Sequence, residues 1–143
     1  MSFISVYISE FGFTENEVFG NQIPFYFDAS TKDLFATVVL GASCVIIAQK
    51  TFSFPVNLVA ALNEYRVSSI VWVPSALSIA AKFNVFSAAV PQHLKNVLFV
   101  GEMMPVKYLN VWRNALPSAR FVNLYGSTEV AGNSCYYTVC GEL

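Results

Sequence analysis

The stretch "SSIVWVPSALSIAAKFNVFSAAVPQHLKNVLFVG" (Ser68–Gly101) decides the fold. It opens with a short apolar, β-branched run stopped by Pro74, which predicts a strand covered on both faces. "SALSIAAKF" then has helical spacing, and "KNVLFV" is a second strand ending at Gly101. Strand, helix and strand in that order form a unit whose two strands pair in parallel.

The same alternation continues in both directions. Upstream, Ser30 is the expected N-cap of "TKDLFATVVL", with Asp33 as its capping-box partner and Gly41 as the stop. Leu34, Phe35, Val38 and Val39 share one face of that helix and are expected to point inward. "SCVIIA" predicts a strand, and Ser53 followed by Pro55 opens the helix "VNLVAALNEYR". Downstream, Pro105 starts the helix "VKYLNVWRNAL", and "ARFVNL" is the last clear strand. The expected fold is α/β, a mostly parallel sheet with helices on both faces. Parallel crossovers bring the C-terminal ends of the strands to one edge, where open α/β sheets bind ligands. Pro74-Ser75, Gly101-Glu102 and Tyr125-Gly126 all fall there.

Composition narrows the function. Of 143 residues, 55% are hydrophobic and 12% charged, so charge is about half the usual share. Such a surface is expected to be covered in part by other segments, and the chain alone to self-associate. A net charge of −1 without a basic cluster argues against nucleic acid. The longest uncharged run, Leu34 to Gln49, contains Gly41 and Ser43 and reads as helix, turn and strand, so no membrane span is expected. Cys44, Cys135 and Cys140 form no metal-binding pair, and an odd count suits a reducing, cytoplasmic setting. A disulfide between Cys135 and Cys140 is not expected, because a spacing of five puts them on opposite faces of a strand. His93, Glu10, Glu15 and Glu17 read as solvated.

Two short groups hold the candidate chemistry. In "NLYGSTEV" (Asn123–Val130), Tyr125 can offer a ring to a base and Gly126 a close backbone approach. Thr128 offers a hydroxyl, and Glu129 a carboxylate able to hold Mg²⁺ against phosphate. The same residues also suit a Gly-Ser turn. In "FYFDAS" (Phe25–Ser30), Asp28 precedes a helix behind an aromatic run. It can serve as a helix-end acid, or, desolvated by Phe27, as the partner of a substrate ammonium.

Together these segments resemble the adenylate-forming (AMP-binding) enzymes. The nearest branch comprises the amino-acid adenylation domains of nonribosomal peptide synthetases and the D-alanine:carrier-protein ligases. "FDAS" resembles the family's FDxS segment, "VLFVGEMMP" its strand-Gly-Glu segment, "WVPSAL" its strand-Pro-Ser segment and "NLYGSTEV" its N-x-Y-G-P-T-E motif. The order is also the family's.

The resemblance implies an ATP-dependent ligase that forms an aminoacyl-adenylate and passes the acyl group to a phosphopantetheine thiol on a carrier protein. Asp28 would bind the substrate amino group. Tyr125 would stack on adenine with Asn123, Gly126, Gly101 and Glu102 around it. Thr128 would touch the α-phosphate, and Glu129 would hold Mg²⁺. Ala29, Lys32, Trp72, Leu98, Val100, Leu124, Gly132 and Asn133 would line the substrate side-chain pocket. Bulky Trp72 and Leu124 would favour a small amino acid, whereas Lys32 would suit a carboxylate.

Ser127 stands where the family usually has proline. The family's phosphate loop and its C-terminal lid find no match, so residues 1–143 are expected to be the central part of an adenylation domain, inactive without its flanking segments. The competing readings are an acyl-CoA synthetase fragment, a non-catalytic remnant that binds nucleotide, and an unrelated flavodoxin-like domain.

Overall fold

The computed structural model describes residues 2–127, 129 and 132–141. Among them six strands form one sheet in the order β2-β1-β3-β4-β5-β6. The strands are β1 (Val18–Asn21), β2 (Ser43–Ile46), β3 (Ser69–Trp72), β4 (Asn96–Val100), β5 (Arg120–Tyr125) and β6 (Cys135–Thr138). β1 to β5 run parallel, and β6 returns antiparallel along β5.

The four expected strands are all present, as β2, β3, β4 and β5. The sequence reading missed β1, the short "VFGN" that lies between β2 and β3, and it left β6 open. Glycine and asparagine hide β1, yet both are buried. Gly20 has no room for a side chain, since a Cβ there would sit 2.8 Å from Val67 Cγ1.

Helices cover both faces. Helices α3 (Gln49–Phe52), α4 (Pro55–Glu64), α5 (Pro74–Lys82) and α6 (Val106–Ala115) lie on one side. Leu58, Leu62, Leu77 and Trp112 pack there against Ile70, Trp72, Val97, Phe99 and Phe121 of the sheet. On the other side lie α1 (Phe3–Phe11) and α2 (Thr31–Leu40). Tyr7, Phe11 and Ala36 meet Phe19, Val71, Leu98, Val100, Val122 and Leu124 there. Alternate residues of each strand thus serve alternate layers, as a pleated sheet requires. α1 escaped the sequence reading, although Ser2 caps its start and Gly12, at φ 66°, ends it.

α2 corrects two expectations. Ser30 is itself helical in backbone and caps nothing; its hydroxyl donates to the Phe27 carbonyl at 2.8 Å, within a 3₁₀ turn over Asp28–Ser30. The helix also turns the opposite face inward. Lys32, Asp33 and Ala36 are buried, whereas Phe35, Val38 and Val39 are exposed. Ser53 likewise yields the cap position before Pro55 to Phe54.

A string of polar contacts ties the N-terminal ends of the strands. Glu17 accepts from the Ser68 hydroxyl and from Ser69 Oγ at 2.7 Å, so it is not the solvated charge expected. Asn96 Nδ2 donates to Ser69 Oγ at 2.9 Å. Arg120 donates to Asn96 Oδ1 at 3.0 and 3.1 Å and to the Phe11 carbonyl. Glu10 accepts from the Tyr136 hydroxyl, which holds α1 to β6. The contacts through Glu17, Ser69, Asn96 and Arg120 lie at the strands' N-terminal ends, the edge opposite the candidate site. Among the described residues no helix is long and apolar enough to cross a membrane. Cys44, Cys135 and Cys140 are free.

Candidate functional site

The strands' C-terminal ends surround a cavity of about 480 Å³, within the range of small-molecule sites. One wall comes from the segment after β1 and the first turn of α2: Gln22, Ile23, Phe27, Asp28, Ala29 and Lys32. The facing wall comes from the ends of β3, β4 and β5, with Val73, Val100, Gly101, Glu102 and Gly126. Gly132 and Asn133 close the rim. The two sequence groups, "FDAS" and the glycine of "NLYGS", thus border one space. They are almost a hundred residues apart in the chain.

The strand-end dipeptides are joined directly. Glu102 accepts from the Ser75 backbone N–H at 2.8 Å and the Ser75 hydroxyl at 3.1 Å. Its carboxylate therefore caps the N-terminus of α5 from another strand, where a negative charge is favoured. Gly126 is required by close approach. A Cβ there would overlap the Gly132 carbonyl and sit 2.8 Å from Asn133 Cα.

Not every expected residue reaches the cavity. Trp72 is fully buried in the opposite layer, with its indole N–H donated to the Gly20 carbonyl at 2.7 Å and its ring edge-on to Phe52. Strand alternation sends Trp72 to the far side and brings Val73 to the wall instead. Leu98 and Leu124 lie in the apolar layer under α1 and α2, outside the lining. Asn123 and Tyr125 are exposed on β5 and do not line the space. Glu129 is exposed three residues beyond Gly126, and Thr128 lies outside the described residues. Asp28 is exposed too, and the aromatics before it, Phe25, Tyr26 and Phe27, are themselves more than half exposed and do not bury it as expected. Gln22 and Ile23 were missed with β1. Recognising that strand would have put them at the ligand-binding edge.

The electrostatics are uneven. Lys32 is 2% exposed, and burial pushes its ammonium below the usual lysine range, with Asp33 and then Asp28 opposing. Next to it, burial raises the Asp33 carboxyl to about 7, with Lys32 countering only in part. Hydrogen bonding from Ser127, and then from its own backbone N–H, holds the Glu129 carboxyl below the usual glutamate range. Ser127, which stands in place of the expected proline, thus adds a donor beside that carboxylate. Three or more metal-ligating side chains nowhere cluster among the described residues. A single ionised carboxylate still suits Mg²⁺, which takes few protein ligands and leaves the rest to phosphate and water.

Comparison with known proteins agrees with this architecture. A family model described as AMP-binding enzyme matches residues 1–142. The D-alanine--D-alanyl carrier protein ligase of Bacillus cytotoxicus is 30% identical over 129 residues, 90% of this chain and 26% of that protein. The L-proline--[L-prolyl-carrier protein] ligase of Pseudomonas fluorescens is 28% identical over the same shares of each. The chain therefore spans about a quarter of the length of the curated relatives it matches. The Vibrio cholerae adenylation domain AlmE, solved in complex with glycyl-adenosine-5'-phosphate, superposes with a TM-score of 0.83. It is 19% identical, covering 95% of this chain and 25% of AlmE, and shows a shared fold. A mostly parallel sheet with an open C-terminal edge, and a family match over almost every residue, place this chain in the AMP-binding enzyme family.

Proposed function

We propose that these residues form the central part of an adenylation domain, the substrate and adenine side of an ATP-dependent ligase. The ligase activates an amino acid as its adenylate and transfers the aminoacyl group to a phosphopantetheine thiol on a carrier protein. The observation that supports this most is the shared cavity. Asp28 and Lys32 stand on one wall, and the Gly101-Glu102 and Gly126 turns on the other.

In this reading Asp28 holds the substrate ammonium. Ala29, Val100, Gly132 and Asn133 shape the side-chain space, and Val73 takes the place first given to Trp72. Leu98 and Leu124 support the floor from below. Tyr125, exposed at the end of β5, offers its ring to adenine beside Asn123 and Gly126. Glu102 fixes the turn at the adenine wall through Ser75. Thr128 would reach the α-phosphate. Glu129, kept ionised by Ser127, would hold Mg²⁺, which offsets phosphate charge as the acyl-phosphate bond forms. The chain's own work is to fix donors and orient the carboxylate in advance. The phosphate loop and lid would come from flanking segments. A cytoplasmic setting accords with three free cysteines.

The test is amino-acid-dependent exchange of pyrophosphate into ATP, with the chain joined to the segments encoded on either side. Exchange with one or a few amino acids is expected, abolished by Asp28→Ala. Exchange untouched by that substitution would refute the amine role and favour an acyl-CoA synthetase. The 143-residue chain alone is expected to be inactive.

A further inference from the structure

Lys32 is the only cation among the described residues lining the cavity, and it is 2% exposed. Lysine is almost never buried without a partner. Its two neighbouring acids leave it short of one. Asp28 is exposed at the mouth. Asp33 lies away from the cavity lining, and neither of its carboxylate oxygens accepts a hydrogen bond. Near neutral pH it also carries less than a full charge, since burial has raised its carboxyl to about 7.

Other groups around the same space also lack partners. Gln22 Oε1 and both amide atoms of Asn133 are buried without hydrogen bonds, and both residues line the cavity. Buried polar atoms are normally satisfied, so a set of them around one opening fits a polar ligand. An apolar side chain would leave the ammonium and the amides unpaired. A carboxylate would accept from the Lys32 ammonium and from Asn133 Nδ2 together, while Gln22 Oε1 and Asn133 Oδ1, acceptors themselves, would take the donors of the substrate's α-ammonium.

We propose that the cavity takes an amino acid whose side chain ends in a carboxylate, with Asp28 on the α-ammonium and Lys32 on the distal carboxylate. This rests on the reading of the cavity as an amino-acid site. It also replaces the small-residue preference that Trp72 and Leu124 implied, since Trp72 packs in the opposite layer and Leu124 beneath the lining.

The test is calorimetric binding, to the chain joined to the segments encoded on either side, of L-glutamate and L-aspartate against L-glutamine and L-asparagine, near-isosteric pairs that differ in charge. One acid is expected to bind about 10- to 100-fold more tightly than its amide, the usual worth of a hydrogen bond to a charged group. Lys32→Met should remove that preference, with the fold checked by circular dichroism. Lys32→Glu should turn the preference towards L-lysine or L-ornithine. Should Lys32→Met not fold, the acid–amide comparison on the unaltered protein decides alone. Amides bound as tightly as acids, with Asp28→Ala still weakening them, would overturn this inference and leave the amino-acid site standing. No Asp28-dependent binding of any of the four would overturn both.

Discussion

Asp33 is a residue whose position has a measurable thermodynamic consequence. It is fully buried without a hydrogen bond, and burial raises its carboxyl from 3.8 to about 7. The folded state therefore holds a proton that the unfolded chain releases at lower pH. Stability from this group is complete below pH 4 and declines as pH rises to about 7, by on the order of 4 kcal/mol. Urea denaturation across that range should show Asp33→Asn with a flatter profile and greater stability at pH 8. Equal slopes for the two proteins would contradict the buried, unpaired state. Trp72 illustrates the limit of reading single residues. The sequence placed Asp28, Ala29, Lys32 and Val100 around one space, because each follows from a helix start or a strand end. Trp72 failed because a strand's side-chain period is two, and one step along it changes the layer. Trp72→Ala should cost about 3–5 kcal/mol of stability in thermal or denaturant unfolding, as large core truncations do.

At the scale of elements, strands backed by long apolar runs were legible and those defined by tertiary context were not. β1 has glycine and asparagine in four residues, and its burial comes from neighbours fifty or more positions away, such as Trp72 and Ser69. Gly20→Ala should lower stability by about 1–3 kcal/mol, the range of overpacked cores, because the added carbon meets Val67 and Ile70. α2 was legible as a helix but not in its orientation. Its apolar stripe predicts the inward face only when nothing else competes for it, and here Lys32 and Asp33 take that side. The polar string through Ser69, Asn96 and Arg120 gave no sequence signal, since each residue alone reads as an ordinary edge position. Asn96→Ala should expose Arg120 to loss of two bonds and destabilise by about 1–3 kcal/mol, read by chemical denaturation.

For the whole molecule, the starved charge content meets a visible cause. Phe35, Val38, Val39 and Ile46 are 55%, 78%, 63% and 64% exposed, on α2 and the edge strand β2. Apolar surface of this kind drives association. The 143-residue chain should form oligomers or precipitate at micromolar concentration, and Val38→Lys with Val39→Lys should shift light scattering towards monomer. A stable monodisperse monomer of the unaltered chain would contradict this. The strand order has one more consequence. Among these six strands β1 emerges from the ribosome first, yet its seat lies between a strand that follows soon after and one that appears some fifty residues later. The carbonyl of Phe11 meets its guanidinium partner 109 positions downstream. The end of α1 therefore lacks that partner until β5 has been made, a window in which chaperones would find its aromatic side before the rest of the sheet does.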